Sequence, residues 1–198
     1  MLPFDTLLAL TAYAFVMTIT PGPNNVLLLS SGLNFGLRRT GWHLAGILCG
    51  TLLMIGGVGA GLSPLFEQAS GLQTFLKLAG SVYMLWLARQ LWQVDTLHAA
   101  EVARPIRFGE AALFQAINPK VWLMAITVNA AFVPPGEHYA EHLAIAALIF
   151  AVTAIPCITL WAASGAALRV WIENPLALRR INRLMAILAA TTVVLFWL

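Results

Sequence analysis

Six apolar stretches divide this 198-residue chain, and five of them are long enough to cross a bilayer as helices. A hydrocarbon core about 30 Å thick takes roughly 20 residues at about 1.5 Å each. The first stretch runs from Phe4 to Ser31 and is broken by Pro21-Gly22-Pro23. The next four are Leu44 to Phe66, Gln73 to Trp92, Ala111 to Val133 and Leu143 to Leu168. The sixth, Leu184 to Leu198, is short, and would need Ile181 to Arg183 to reach the interface by snorkelling. Only 10% of the residues are charged, against about 25% in a soluble domain, too few to coat a water-facing surface. The chain is therefore expected to be all-α, a polytopic membrane helix bundle of about six transmembrane helices. Its N-terminus, MLPFDTLLAL, has neither a positive n-region nor a clear small-residue cleavage site. It reads as a first membrane helix rather than a removed signal peptide.

Lysine and arginine placement sets the expected orientation. Arg38 and Arg39 fall between the first two stretches. Arg89, Arg104 and Arg107 are assigned to the connection between the third and fourth. Arg169, Arg179, Arg180 and Arg183 lie between the fifth and sixth. Nine of the eleven basic residues thus share one side, and the loop from Pro134 to His142 has none. The arginine-bearing side is expected to be cytoplasmic, with both termini outside. The charged connection from Val94 to Arg107 separates two halves, about 1–93 and 108–198, within what is expected to be a single membrane transporter domain. Three crossings per half is odd, so repeated units would enter the membrane in opposite directions, as in many secondary transporters.

Several function classes lack support. The net charge of +3 comes from arginines dispersed between apolar blocks, so nucleic acid is not an expected partner. Cys49 and Cys157 lie in apolar stretches and are too few for a disulfide framework or a zinc site. His138-Tyr-Ala-Glu141-His142 has the form of an inverted zinc-protease motif. It falls in a short loop with no domain to supply a third ligand, and reads as coincidence. No metal, no cofactor and no phosphate-binding loop is expected. Gly46-x-x-x-Gly50, Gly57-x-x-x-Gly61 and the alanines from Ala162 to Ala167 read as helix-packing spacings.

Two interruptions carry the chemistry. In Thr20-Pro21-Gly22-Pro23-Asn24-Asn25, two prolines remove backbone donors inside an apolar span, and Gly22 loosens the break. Carbonyls freed there are costly in hydrocarbon unless protein or a polar cavity receives them. Asn24 and Asn25 add amide donors and acceptors at the same place. A proline kink whose asparagines bond the freed carbonyls is the plain reading, and a binding or gating element is the functional one. The second interruption, Gln115-Ala116-Ile117-Asn118-Pro119-Lys120, sits at the corresponding place in the other half. Paired interruptions point to a transporter's central site. Lys120 there must be paired, hydrated or neutral, either snorkelling to the interface or contacting a substrate carboxylate or a coupling proton.

At these motifs the sequence resembles the LysE/RhtB family of bacterial amino-acid exporters. The likeness rests on TPGPNN at 20–25, SGLNFGLRR at 31–39, KLAGSVYMLWLA at 77–88 and QAINPK at 115–120. It implies a six-helix efflux protein of the bacterial cytoplasmic membrane, carrying amino acids or their derivatives. It suggests a translocation site from Pro21, Gly22, Pro23, Asn24, Asn118, Pro119 and Lys120, with Tyr83 a weaker member; Asn25 and Gln115 join from the motifs themselves. The second half beyond Val133 offers little to match. The expected activity is secondary, proton-coupled export of a small amino acid, with the lipid bilayer as the other partner. The rivals are a membrane-embedded lipid-modifying enzyme and a non-transporting scaffold subunit.

Overall fold

In the computed structural model, residues 2–62, 70–93, 104–171, 174–194 and 197 are described. Among them there is no strand, and the apolar stretches are helical over most of their described residues. Helix α1 is Phe4–Ile19. Helix α2 is Pro23–Gly57, continued by a π-helical segment Val58–Leu62. Helix α3 is Ser70–Gln93. Helix α4 is Phe108–Ile117, and α5 is Pro119–Thr127, continued by a second π-helical segment, Val128–Phe132. Helix α6 is Tyr139–Trp171, and α7 is Pro175–Thr191. The chain is an all-α membrane protein. Pro23–Gly61 and Tyr139–Val170 are each long and apolar enough to cross a bilayer, and α4 with the α5 segment, bent by 72°, makes a third such unit.

Several boundaries differ from those expected. No loop separates the first and second stretches, so Arg38 and Arg39 lie within α2. The chain turns instead at Gly36, whose φ of 77° and ψ of 165° suit a residue without a Cβ. Ser31 and Thr40 show how sharp that turn is. In a straight helix nine residues would separate them by about 13 Å, yet their hydroxyls are 3.0 Å apart. Helix α2 is thus two limbs folded back on each other, 23–35 and 37–57. Arg89 is inside α3 rather than in a connection, and that connection lies outside the described residues up to 103. So do Phe66 and Leu198, the far ends of the second and sixth stretches. The last helix starts at Pro175, not Leu184. Asn174 accepts a hydrogen bond from the Leu176 N–H at 2.8 Å, and proline in the first turn needs no donor. Apolarity alone missed these turns because they carry Arg179, Arg180 and Arg183.

Small residues set the closest approaches. A Cβ on Gly32 would overlap the Ala162 carbonyl, and one on Gly165 would overlap that of Leu29, so the first limb of α2 lies backbone to backbone on α6. Gly46 and Gly50 bring the second limb against Phe108 and Ala112 of α4. Gly57-x-x-x-Gly61 does not make such a pair. A Cβ on Gly61 would meet nothing within 4 Å, and its φ of 105° marks a turn, whereas Gly59 is the residue crowded by Leu143 and Asn129. The packing is crossed between the halves: α1 rests on α6, α4 on α2, and α3 on α7. The main core joins Leu10 and Ala14 of α1, Met54 and Ile55 of α2, Val121 and Met124 of α5, and Phe150 of α6. Large apolar side chains such as Phe4, Trp42, Leu113, Leu148 and Val170 face outward, where lipid tails would receive them.

Candidate functional site

Both breaks fall at similar depth. The first limb of α2 and helix α4 each run inward from the arginine-bearing end, over about 20 Å and about 15 Å. In a core about 30 Å thick those lengths would put their inner ends near the middle. There they meet. Asn24 Nδ2 donates to Gln115 Oε1 at 2.8 Å, and Gln115 Nε2 donates back to Asn24 Oδ1 at 3.3 Å. Gln115 is fully buried, and its second N–H goes to the Ala111 carbonyl at 2.6 Å. Lys120 reaches across the other side. Its Nζ donates to Thr20 O at 3.1 Å, Thr20 Oγ1 at 3.0 Å and Pro21 O at 3.4 Å. Its stem lies against Gly22, where a Cβ would stand 3.1 Å from both Cδ and Nζ, so a side chain at 22 would displace the ammonium.

The freed carbonyls can be followed one by one. Asn25 Nδ2 donates to both Thr18 O and Thr20 O at 2.8 Å. Trp161 Nε1 donates to Ile19 O at 3.0 Å, and Trp122 Nε1 to Ala116 O at 2.8 Å. At the second break Asn118 Oδ1 accepts from the Lys120 N–H at 3.1 Å, capping α5, with Pro119 in its first turn. Asn25 thus bonds carbonyls freed at the first break, the plain role expected there, Asn118 caps the helix after the second, and Asn24 and Lys120 tie the two breaks together. Sequence reasoning passed over both tryptophans, whose signal was an indole donor within reach of a broken span. Trp161→Phe should leave the Ile19 carbonyl without its indole donor. The expected cost is about 0.6–2 kcal/mol, read as a lower unfolding temperature in detergent.

A cavity of about 40 Å³ lies between the breaks. Gly22, Pro23, Asn24 and Asn25 line it from one side, and Asn118 and Lys120 from the other. Met124, Phe150, Ala154 and Ile158 close it. At about 10–15 Å³ per water, it has room for about three waters. Lys120 is its only ionisable lining residue among those described. No carboxylate lies within 4 Å of that ammonium among the described residues, whose salt bridges are Arg104–Glu110 and His138–Glu141. The N-termini of α2 and α5 start at the cavity, and their positive dipole ends favour negative charge there. Pro21 and Pro119 shape the breaks without lining the cavity. Tyr83 is elsewhere, in a separate cavity between α2 and α3. The second half beyond Val133, silent in the sequence, supplies Phe150, Ala154, Ile158 and Trp161.

Comparison with known proteins points the same way. A cysteine/O-acetylserine efflux protein of Escherichia coli (strain K12) is 34% identical over 130 residues, which span 64% of this chain and 65% of that protein. The counterpart of that name in Klebsiella pneumoniae subsp. pneumoniae is 31% identical over 157 residues, 79% of this chain and 80% of its own length. No solved structure matches. Residues 15–197 match the family described as LysE type translocator, and the chain belongs to that family, one of translocators rather than enzymes.

Proposed function

We propose that this protein exports a small amino acid or amino-acid derivative across the bacterial cytoplasmic membrane as a secondary, proton-coupled transporter. One observation carries the reading: among the described residues the Lys120 ammonium is held only by uncharged oxygens, at a cavity where two broken helices begin. An ammonium beside two helix N-termini is an anion site, and a substrate carboxylate fits it. Asn24 and Gln115, now paired with each other, carry amide groups able to turn to the substrate. As the cavity's ionisable group, Lys120 is also the carrier a coupling proton would need. Relatives named for cysteine and O-acetylserine efflux make those compounds the first to try. The cavity, at about three waters, must widen for a molecule of about seven heavy atoms, so transport entails a conformational change.

Orientation and repeat belong to the same proposal. Both termini are placed outside, because the arginines crowd the other ends of the helices. The halves read as inverted repeats: each has a short helix, a break with proline opening the next helix, a turn at a positive-φ glycine (Gly36, Gly136), a long helix and a final one.

The test uses inverted membrane vesicles from an overexpressing strain, with an acid interior and labelled cysteine or O-acetylserine outside. Accumulation above control vesicles, abolished by a protonophore, is the expected result. Failure to accumulate any amino acid in a broad panel overturns the export reading. Accumulation indifferent to the pH gradient removes the proton coupling alone.

A further inference from the structure

The cavity that contains Tyr83 is larger than the central one, about 290 Å³, and lies toward the arginine-bearing end. Helix α3 packs chiefly on α7 and scarcely on α2, which leaves a gap between α2 and α3. Ser30, Ser31 and Asn34 form its wall on α2, about 10 Å along the helix from Asn24. Tyr83 and Trp86 form the facing wall on α3, their rings stacked with centroids 5.8 Å apart. Arg104 and Glu110 stand at the opening from the α4 side. Arg104 Nη1 donates to Glu110 Oε2 at 2.8 Å, and that oxygen also accepts from the Arg107 N–H at 3.0 Å. Arg104 Nη2 also donates to Glu110 Oε1, so the pair is bidentate, and with side-chain exposures of 51% and 37% both groups are open to an incoming charged ligand. Tyr83 shares the lining of this cavity with both charged groups. The Phe114 ring is 5.1 Å from that of Tyr83, and the next residue, Gln115, is the partner of Asn24 at the central site.

We propose that this cavity is a capture site for a zwitterionic amino acid, loaded before the central site. Arg104 takes the α-carboxylate in bidentate fashion, and Glu110 takes the α-ammonium against the Tyr83–Trp86 wall. The substrate replaces each half of the ion pair with a partner of the same sign, so no charge is left alone when the pair opens. Among the described residues the central site offers a cation and no carboxylate, so its charge recognises one end of the molecule. The capture site recognises both, and excludes amines and acids that lack the other group. The cavity has room for about twenty waters, enough for a small amino acid with its side chain toward Ser30 and Ser31. This inference rests on the export reading.

Two measurements test it. In inverted vesicles, Arg104→Gln and Glu110→Gln should each raise the half-saturating substrate concentration about tenfold with little change in maximal rate, the worth of one charge-assisted contact. The exchange Arg104→Glu with Glu110→Arg rebuilds an ion pair but reverses the order in which the substrate's two ends are met, and should not rescue. Rescue by the exchange, or an unchanged half-saturation in the single variants, would show a structural clasp and overturn the proposal. The second measurement needs no turnover. Purified Gln90→Cys protein, with Cys49→Ala and Cys157→Ala, is labelled at the cavity rim by a maleimide. O-acetylserine at about ten times its half-saturating concentration should slow labelling about tenfold, and its decarboxylated amine should not. Equal labelling with and without O-acetylserine rules out occupancy. Wild-type transport with no effect in either measurement sinks the capture site and leaves the export reading standing, whereas absence of wild-type transport sinks the latter.

Discussion

Lys120→Ala should reduce export per folded molecule by at least about 100-fold, corresponding to about 3 kcal/mol, the upper range for a hydrogen bond to a charged group. The ammonium is the only positive side chain at the central cavity among the described residues, and nothing nearby can replace it. Lys120→Arg is not expected to rescue. The stem already lies on the Gly22 backbone, and a planar guanidinium needs width that this contact denies it. Because Lys120 also ties down the Thr20 and Pro21 carbonyls, transport must be expressed per amount of protein that elutes as a single species in detergent. If Lys120→Ala merely lowers that amount, and each surviving molecule exports at the normal rate, the lysine is a strut and the site has lost its anion partner.

Gly32→Val or Gly165→Val should leave almost no folded protein. Each position would place a Cβ inside a carbonyl oxygen of the opposite backbone, Ala162 for the first and Leu29 for the second. Ordinary overpacking costs about 1–3 kcal/mol because side chains can yield. Here the obstacle is main chain on both sides, so the first limb of α2 and α6 must separate along their length. Gly56→Ala is the control, since a Cβ there would meet nothing within 4 Å. Thermal unfolding of detergent-solubilised protein separates the cases: a near-normal transition for Gly56→Ala, and loss of the monodisperse species for the other two. A well-folded Gly32→Val protein would mean that the two helices are not in backbone contact.

Much of the helix inventory was legible because lipid-facing segments must be apolar throughout, and the two breaks because proline inside such a segment has few other meanings. The family was legible from four short motifs. What pairs with what was not. That Asn24 reaches Gln115, or that Lys120 reaches Thr20, depends on how helices far apart in the chain cross, and no local pattern encodes it. Gly36 was hidden for a different reason: a single positive-φ residue can reverse a helix without the polar loop that composition would reveal. The first turns of α7 were hidden because they are amphipathic, so a criterion of uniform apolarity starts the helix late. Trp161 escaped because tryptophan in an apolar span looks like ordinary lipid-facing or core material until its N–H is found on a broken helix. Tyr83 was grouped with the breaks by motif alone, and the structure sets it against the other cavity.

The crossed packing has a mechanical consequence. Since α1 lies on α6 and α4 lies on α2, the opening helix of each half is clasped by the other, like interlaced fingers. In the proposed export cycle the bodies that swing would therefore not be the stretches of polypeptide before and after the central connection. In that proposed cycle they would be hybrid blocks, each borrowing a helix from its counterpart, with the proline breaks as the knuckles between them. A motion that parted the two stretches wholesale would strip α1 from its bed and open the core to lipid.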